Sequence, residues 1–189
     1  MSAVTLALMH YSNSDPTALP GRWDALHDLL RHIDGEIETL YRASGIEGIR
    51  PRFAYPLIRL RHTGPISVNN LADSLGRSQS AMSQTLSAMR NAGLIETRPG
   101  ADSRTREVFL TEYGASLIPY LEAEWRATEA VVTELDDEAE RMLSRAVERI
   151  KSLLMDRPVS ERLSTWMRVF EAELGDAEAS AAWRPDDRR

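Results

Sequence analysis

The chain has 189 residues, 42% of them hydrophobic and 28% charged, a composition that excludes wholesale disorder and allows one ordinary domain or a small domain with long dimerising helices. It has no cysteine, which excludes a disulfide framework, a thiolate metal site and a thiol redox switch. Its net charge of −6 argues, taken as an average, against phosphate binding. No apolar run approaches the roughly 20 residues that span a bilayer. Residues 4–9 are a brief apolar patch without a basic flank, so the expected location is the cytoplasm.

In chain order, residues 1–21 mix that patch with Ser, Asn, Asp and two prolines and read as a flexible N-terminal arm. From Trp23 the spacing changes. Trp23, Leu26, Leu30, Ile33, Ile37 and Leu40 alternate steps of three and four, one apolar stripe on a helix that ends near Ser44 and Gly45. A second helix is predicted over residues 53–62, stopped by Gly64 and Pro65. Ser67 is a candidate N-cap for a helix over residues 68–75, and Gly76 supplies the turn. Ser78 caps the next helix, which runs to Asn91 with Met82, Leu86 and Met89 on its core face. Gln79, Ser80, Ser83, Gln84 and Ser87 are left on the other side, and Gly93 closes the helix.

Residues 94–98 and 106–110 read as antiparallel strands joined by a loop through Pro99, Gly100 and Asp102. Beyond Thr111 a helix carries Leu117, Leu121, Trp125, Thr128 and Val132 along one face. Leu135 leads into a further helix bearing Leu143, Val147, Ile150 and Leu154, with Asp136, Asp137, Glu138 and Glu140 in its first turns, where the helix dipole favours acids. Pro158 breaks it, and Ser160 caps one more short helix with Leu163, Met167, Phe170 and Leu174 in line, followed by a polar tail.

The charge is unevenly distributed. Residues 50–110 hold nine arginines against four acids, a local +5, and the remainder carries −11. A basic module in an acidic frame presents one face to DNA while its flanks repel it. The helix after Gly76 suits a major groove about 12 Å wide, because its outer face has short polar side chains that reach base edges without bulk. Glutamine pairs bidentately with adenine. The hairpin suits the minor groove, where negative potential concentrates. Asp102, two residues before Arg104, is expected to orient the guanidinium for insertion, and Arg98 and Arg106 at the strand ends are expected to reach phosphate. The candidate DNA-binding residues are therefore Arg77, Ser78, Gln79, Ser80, Ser83, Gln84, Arg98, Asp102, Arg104 and Arg106.

The run SQSAMSQTLSAMRNAGLIETRPGADSRTREVFLTEYG resembles the MarR family of winged-helix transcriptional regulators, and the resemblance covers about residues 22–155. It matches the family's order of recognition helix, Gly-Leu-Ile strand, wing Asp-x-Arg and Leu-Thr-x-x-Gly at Leu110, Thr111 and Gly114. It implies a mainly α fold with a small β-hairpin wing, in which a winged helix-turn-helix domain is flanked by long dimerisation helices. It also implies a homodimer with intertwined first and last helices, a pseudo-palindromic operator, and release by a small aromatic or acyl ligand near the junction. Carried over, residues 78–84 read the major groove and Arg104 the minor groove. The chain departs from the family in lacking the basic residue that many members carry near Gln84, and in extending past the usual length at both ends.

The expected organisation is the arm at 1–21, an N-terminal dimerisation helix at 22–49, the winged helix at 50–113, C-terminal dimerisation helices at 114–157, and an additional helix and tail at 158–189. A winged helix of this size cannot cover the apolar faces of the flanking helices, so a second chain is the economical cover. Trp23, His27, Tyr41, Phe53, Tyr55, Arg59 and His62 lie on the segments that would line a ligand cleft, and aromatics with Arg or His suit an aromatic carboxylate. No catalytic residue, cofactor or metal site is expected. There is no Gly-x-Ser-x-Gly elbow, phosphate-cradling glycine loop or His-x-x-x-His spacing. A winged helix used purely for protein interaction is the competing class, and it predicts an apolar or acidic recognition face in place of the Ser and Gln face.

Overall fold

The computed structural model describes residues 15, 18, 20–100 and 106–182, the stretch from 173 on as backbone. It divides into two units, Met1–Arg126 and Ala127–Arg189. Most of the N-terminal arm, the tip of the wing and the end of the polar tail fall outside the described residues.

The first unit starts with α1 (Asp24–Ala43) and α2 (Pro51–Thr63). Pro51 opens α2 at a first-turn position, where its missing N–H costs nothing and its fixed φ favours the helix. The short strand β1 (Ile66–Ser67) precedes α3 (Val68–Ser74) and α4 (Gln79–Asn91), and the wing follows as β2 (Ile95–Pro99) and β3 (Arg106–Leu110). The sheet order is β1-β3-β2, antiparallel throughout, with Val108 opposite both Ile66 and Thr97. Strand β1 has no counterpart among the elements read from the sequence. Two residues are too few to show an alternation, and their pairing depends on residues about 40 positions later.

Phe53, Leu57, Leu71, Met82, Leu86, Met89, Leu94, Ile95, Val108, Ile118 and Leu121 form one core with Tyr41, so α2 to β3 close around a common centre with α5 (Glu112–Glu138) packed on it. The start of α5 is tightly tied to the wing. Thr111 donates through its hydroxyl to the Gly93 carbonyl at 2.7 Å and accepts from the Gly114 N–H at 2.9 Å. A Cβ on Gly114 would lie 2.1 Å from the Leu94 carbonyl oxygen, so only glycine allows this approach of helix to strand. Within α1, by contrast, Tyr41 is the single buried residue, and Trp23, Leu30 and Leu40 of its stripe are exposed.

The second unit holds the end of α5, then α6 (Met142–Asp156) and α7 (Val159–Ala182). Here two details differ from the sequence reading. Asp136, Asp137 and Glu138 close α5 rather than open α6, because the chain turns at Glu140 and Arg141 with φ of 55° and 57°. The favourable acid at the start of α6 is nonetheless present. Asp136 reaches across the turn to accept from the Ser144 N–H at 3.3 Å and from the Ser144 hydroxyl, which satisfies a first-turn donor that Arg141 cannot cap. Helix α7 begins at Val159, so Ser160 lies inside its first turn, and at 24 residues it is long rather than short. The small-residue run at 177–182 continues it, since Ala favours helix.

Candidate nucleic-acid interface

Helix α4 is built by local chemistry. The Ser78 side chain accepts from the Ala81 N–H at 3.3 Å, and the helix closes with Leu94 N–H donating to the Met89 carbonyl and Gly93 N–H to the Arg90 carbonyl, at 3.0 and 2.9 Å. Gly93 supplies the φ of 71° that this ending requires. Met82, Leu86 and Met89 are buried. This fixes the rotation of the helix and turns Gln79, Ser80, Ser83 and Gln84 to solvent, whereas Ser87 is half-buried. The preceding turn is set by Gly76 at φ 60° and by the Arg77 N–H donating to the Ala72 carbonyl at 3.0 Å, leaving the Arg77 side chain exposed beside the cap.

The wing rises next to this helix. Asp102 and Arg104 lie outside the described residues, so the orientation expected of them stays an expectation. At the wing base, Arg98 is paired with Glu96 and lies 4.8 Å from the centre of the Phe109 ring. Its guanidinium is thus held against the sheet rather than left free at a strand end. Arg106 donates to the Thr97 carbonyl at 3.4 Å and to its hydroxyl at 3.3 Å, and remains exposed.

The seven residues expected to line a ligand cleft separate into four groups. Tyr41 and Phe53 are core, 1% and 2% exposed. The Tyr41 hydroxyl donates to Glu124 Oε2 at 2.9 Å, and burial, followed by the neighbouring Glu124 charge, pushes its pKa far above the usual range. Trp23 and His27 are exposed on the first turns of α1. His62, at the end of α2, meets Glu122 at 2.8 Å, and Glu122 also faces Arg126 at 3.7 Å. Only Tyr55 and Arg59 line a common cavity, of about 570 Å³, between α2 and the turn from α3 to α4.

That cavity also takes Arg52 and Arg77. Arg52 is not among the residues that the sequence points to, although the spacing of Arg52, Tyr55 and Arg59 puts all three on one face of a helix. Among the described residues no group of three or more His, Asp or Glu is placed to hold a metal ion, and no helix is long and apolar enough to cross a membrane.

Residues 57–112, from mid-α2 to the start of α5, match a family model described as HVO_A0114. No curated protein matches the chain. Among solved structures, the MepR–DNA complex of S. aureus superposes with a TM-score of 0.55 at 18% identity, covering 71% of this chain and 99% of that one. A SlyA-like transcription regulator from Listeria monocytogenes gives 0.51 at 20% identity, covering 75% and 93%. The chain has the MarR-like winged-helix fold, mostly helical with a three-stranded antiparallel sheet.

Proposed function

We propose that this chain is a homodimeric, sequence-specific DNA-binding transcription regulator that acts in the cytoplasm as a repressor released by a small aromatic or acyl ligand, and that it is not an enzyme. The observation that carries the reading is the outer face of α4. A helix capped at both ends and anchored by Met82, Leu86 and Met89 holds Gln79, Ser80, Ser83 and Gln84 in solvent. Its diameter, about 10–12 Å with side chains, fits a major groove. The adjoining segments are basic where the rest of the chain is acidic, which concentrates favourable potential at this face.

MepR, one of the structural neighbours, is known in complex with DNA, and this supports the same use of the shared fold. Dimerisation is supported by the exposed apolar residues of α1 and, separately, by those of the second unit; a pseudo-palindromic operator is the matching DNA symmetry. Selection of bound duplexes from a random pool tests the reading. Enrichment of an inverted repeat is the expected result, with the preferred bases changed in Gln84→Ala. A pool that stays random under conditions where the protein is folded would assign the winged helix to protein interaction instead.

A further inference from the structure

The cavity between α2 and the α3–α4 turn has a composition that the DNA-reading face does not explain. Arg52 and Arg59 enter it from α2, Arg77 enters from the turn, and no Asp or Glu lines it. Among the described residues none of these three guanidiniums forms an ion pair, whereas Arg98, Arg126 and Arg157 each face a carboxylate. The chain has 29 acids, so carboxylates are not scarce, yet three like charges share one cavity. Such an arrangement is relieved by an anion from outside the fold, and the planar guanidinium fork binds phosphoryl and carboxylate oxygens in pairs.

Part of the remaining lining is apolar. Pro56, Leu75 and Met82 contribute to it, together with the Tyr55 ring, which is held edge-on against Trp125 with centroids 4.1 Å apart. A volume of about 570 Å³ lies within the range of small-molecule sites. A singly charged acid would neutralise one of the three arginines. A phosphomonoester, which carries about −1.5 to −2 at neutral pH, or an aromatic dicarboxylate matches them better.

We propose that this cavity binds a small organic dianion, with a phosphoryl or dicarboxylate head on the three arginines and an aromatic or acyl body against Tyr55 and Met82. The site extends the proposed function by naming the charge class of the effector. It rests on the DNA-binding reading only for its consequence. Arg77 directly precedes Ser78 and Gln79, so a ligand that engages it withdraws a cation from the DNA-facing turn.

The test is calorimetric titration of the full chain with phenyl phosphate, phthalate, benzoate and inorganic phosphate, in the absence of DNA. Phenyl phosphate or phthalate is expected to bind at least about tenfold more tightly than either benzoate or inorganic phosphate. Arg52→Gln and Arg59→Gln are each expected to weaken that binding roughly tenfold, the scale of one lost charged hydrogen bond, with melting unchanged because both side chains are exposed. Equal affinity for benzoate overturns the dianion assignment, and equal affinity for inorganic phosphate overturns the apolar subsite. Affinity unchanged in both variants, or no binding of either aromatic dianion at millimolar concentration, overturns the site. If the variants instead lose only duplex affinity, the arginines serve the DNA backbone and the proposal fails. Dianion binding by a chain that binds no duplex leaves the cavity assigned and removes the DNA reading.

Discussion

The two units bury their apolar residues in opposite ways. Every buried hydrophobic side chain among the described residues belongs to the first unit, ending at Leu121. In the second unit, α6 has a clear apolar stripe and buries nothing; Leu143, Val147 and Ile150 are 47%, 39% and 36% exposed. A winged helix with a closed core and a satisfied sheet is a self-sufficient fold. Helices that expose Met142, Leu143, Met155, Leu163, Trp166 and Met167 together carry more apolar surface than a lone soluble chain ordinarily leaves open. The two units therefore differ in what they leave uncovered: the first closes a core of its own, whereas the second exposes the apolar faces of its helices.

The substitution expected to separate them most is Leu143→Arg. If a second copy covers the α6 stripe, an arginine there is buried without a partner and costs about 3–5 kcal/mol, enough to leave monomers at micromolar concentration. Sedimentation equilibrium measures this, and an unchanged dimer would remove the second unit from the interface. The first unit should respond in the opposite sense to Gly114→Ala. The added methyl meets the Leu94 carbonyl, and overpacking against backbone costs about 1–3 kcal/mol, read as a lower thermal midpoint in a protein that still dimerises. An unchanged midpoint would mean that α5 can tilt away from the strand without loss.

A milder version of the same contrast concerns Tyr41 and Glu124, a hydrogen-bonded pair closed inside the first unit. Tyr41→Phe removes one of the hydrogen-bond donors to a buried carboxylate and is expected to cost about 1–3 kcal/mol at neutral pH. The raised Tyr41 pKa also fixes the direction of the pH effect. A group whose folded pKa lies above its unfolded value contributes fully below the unfolded value of 10.0, and the contribution is lost as pH rises beyond it. The wild type should destabilise more steeply than Tyr41→Phe in alkaline denaturant titrations; parallel slopes would exclude Tyr41 as the source.

These examples also show what the sequence makes legible. Helix α4 was readable to its caps because Ser78, the spacing of Met82, Leu86 and Met89, and Gly93 are all local signals. The break between α5 and α6 was not. It falls on Glu140 and Arg141, which take a positive φ without glycine, so no local signal separates the acids that close α5 from the start of α6. Segment position and aromatic character point Tyr41 and Phe53 to a ligand cleft, whereas both side chains are packed in the core, where large aromatics commonly lie. The three-arginine cavity needs α2 to meet the α3–α4 turn, a tertiary fact, and only the helix-face spacing of Arg52, Tyr55 and Arg59 announces it.

Arg104→Ala sharpens the comparison from the functional side, because it should leave folding and dimerisation intact. Duplex binding is expected to weaken by about 1–3 kcal/mol, with a smaller dependence on salt, since one cation fewer displaces counterions. A salt titration of affinity gives both quantities. An unchanged slope would take Arg104 out of the groove and leave α4 and Arg77 to carry the interaction.

The smallest effect belongs to the second unit and acts at the other end of the pH scale. Asp136 accepts from Ser144 and its pKa is lowered, chiefly by the Ser144 hydroxyl. A carboxylate whose folded pKa is depressed contributes fully above the unfolded value of 3.8, and loses that contribution as pH falls through its folded value. Asp136→Asn keeps the shape of the side chain and removes its charge. It should therefore flatten the acid limb of the helical circular dichroism signal and leave the alkaline limb, where Tyr41 acts, as it was. An acid limb identical in the two proteins would mean that α6 starts without help from Asp136, and that the turn at Glu140 and Arg141 is held by backbone hydrogen bonds such as that from the Arg141 N–H to the Asp136 carbonyl.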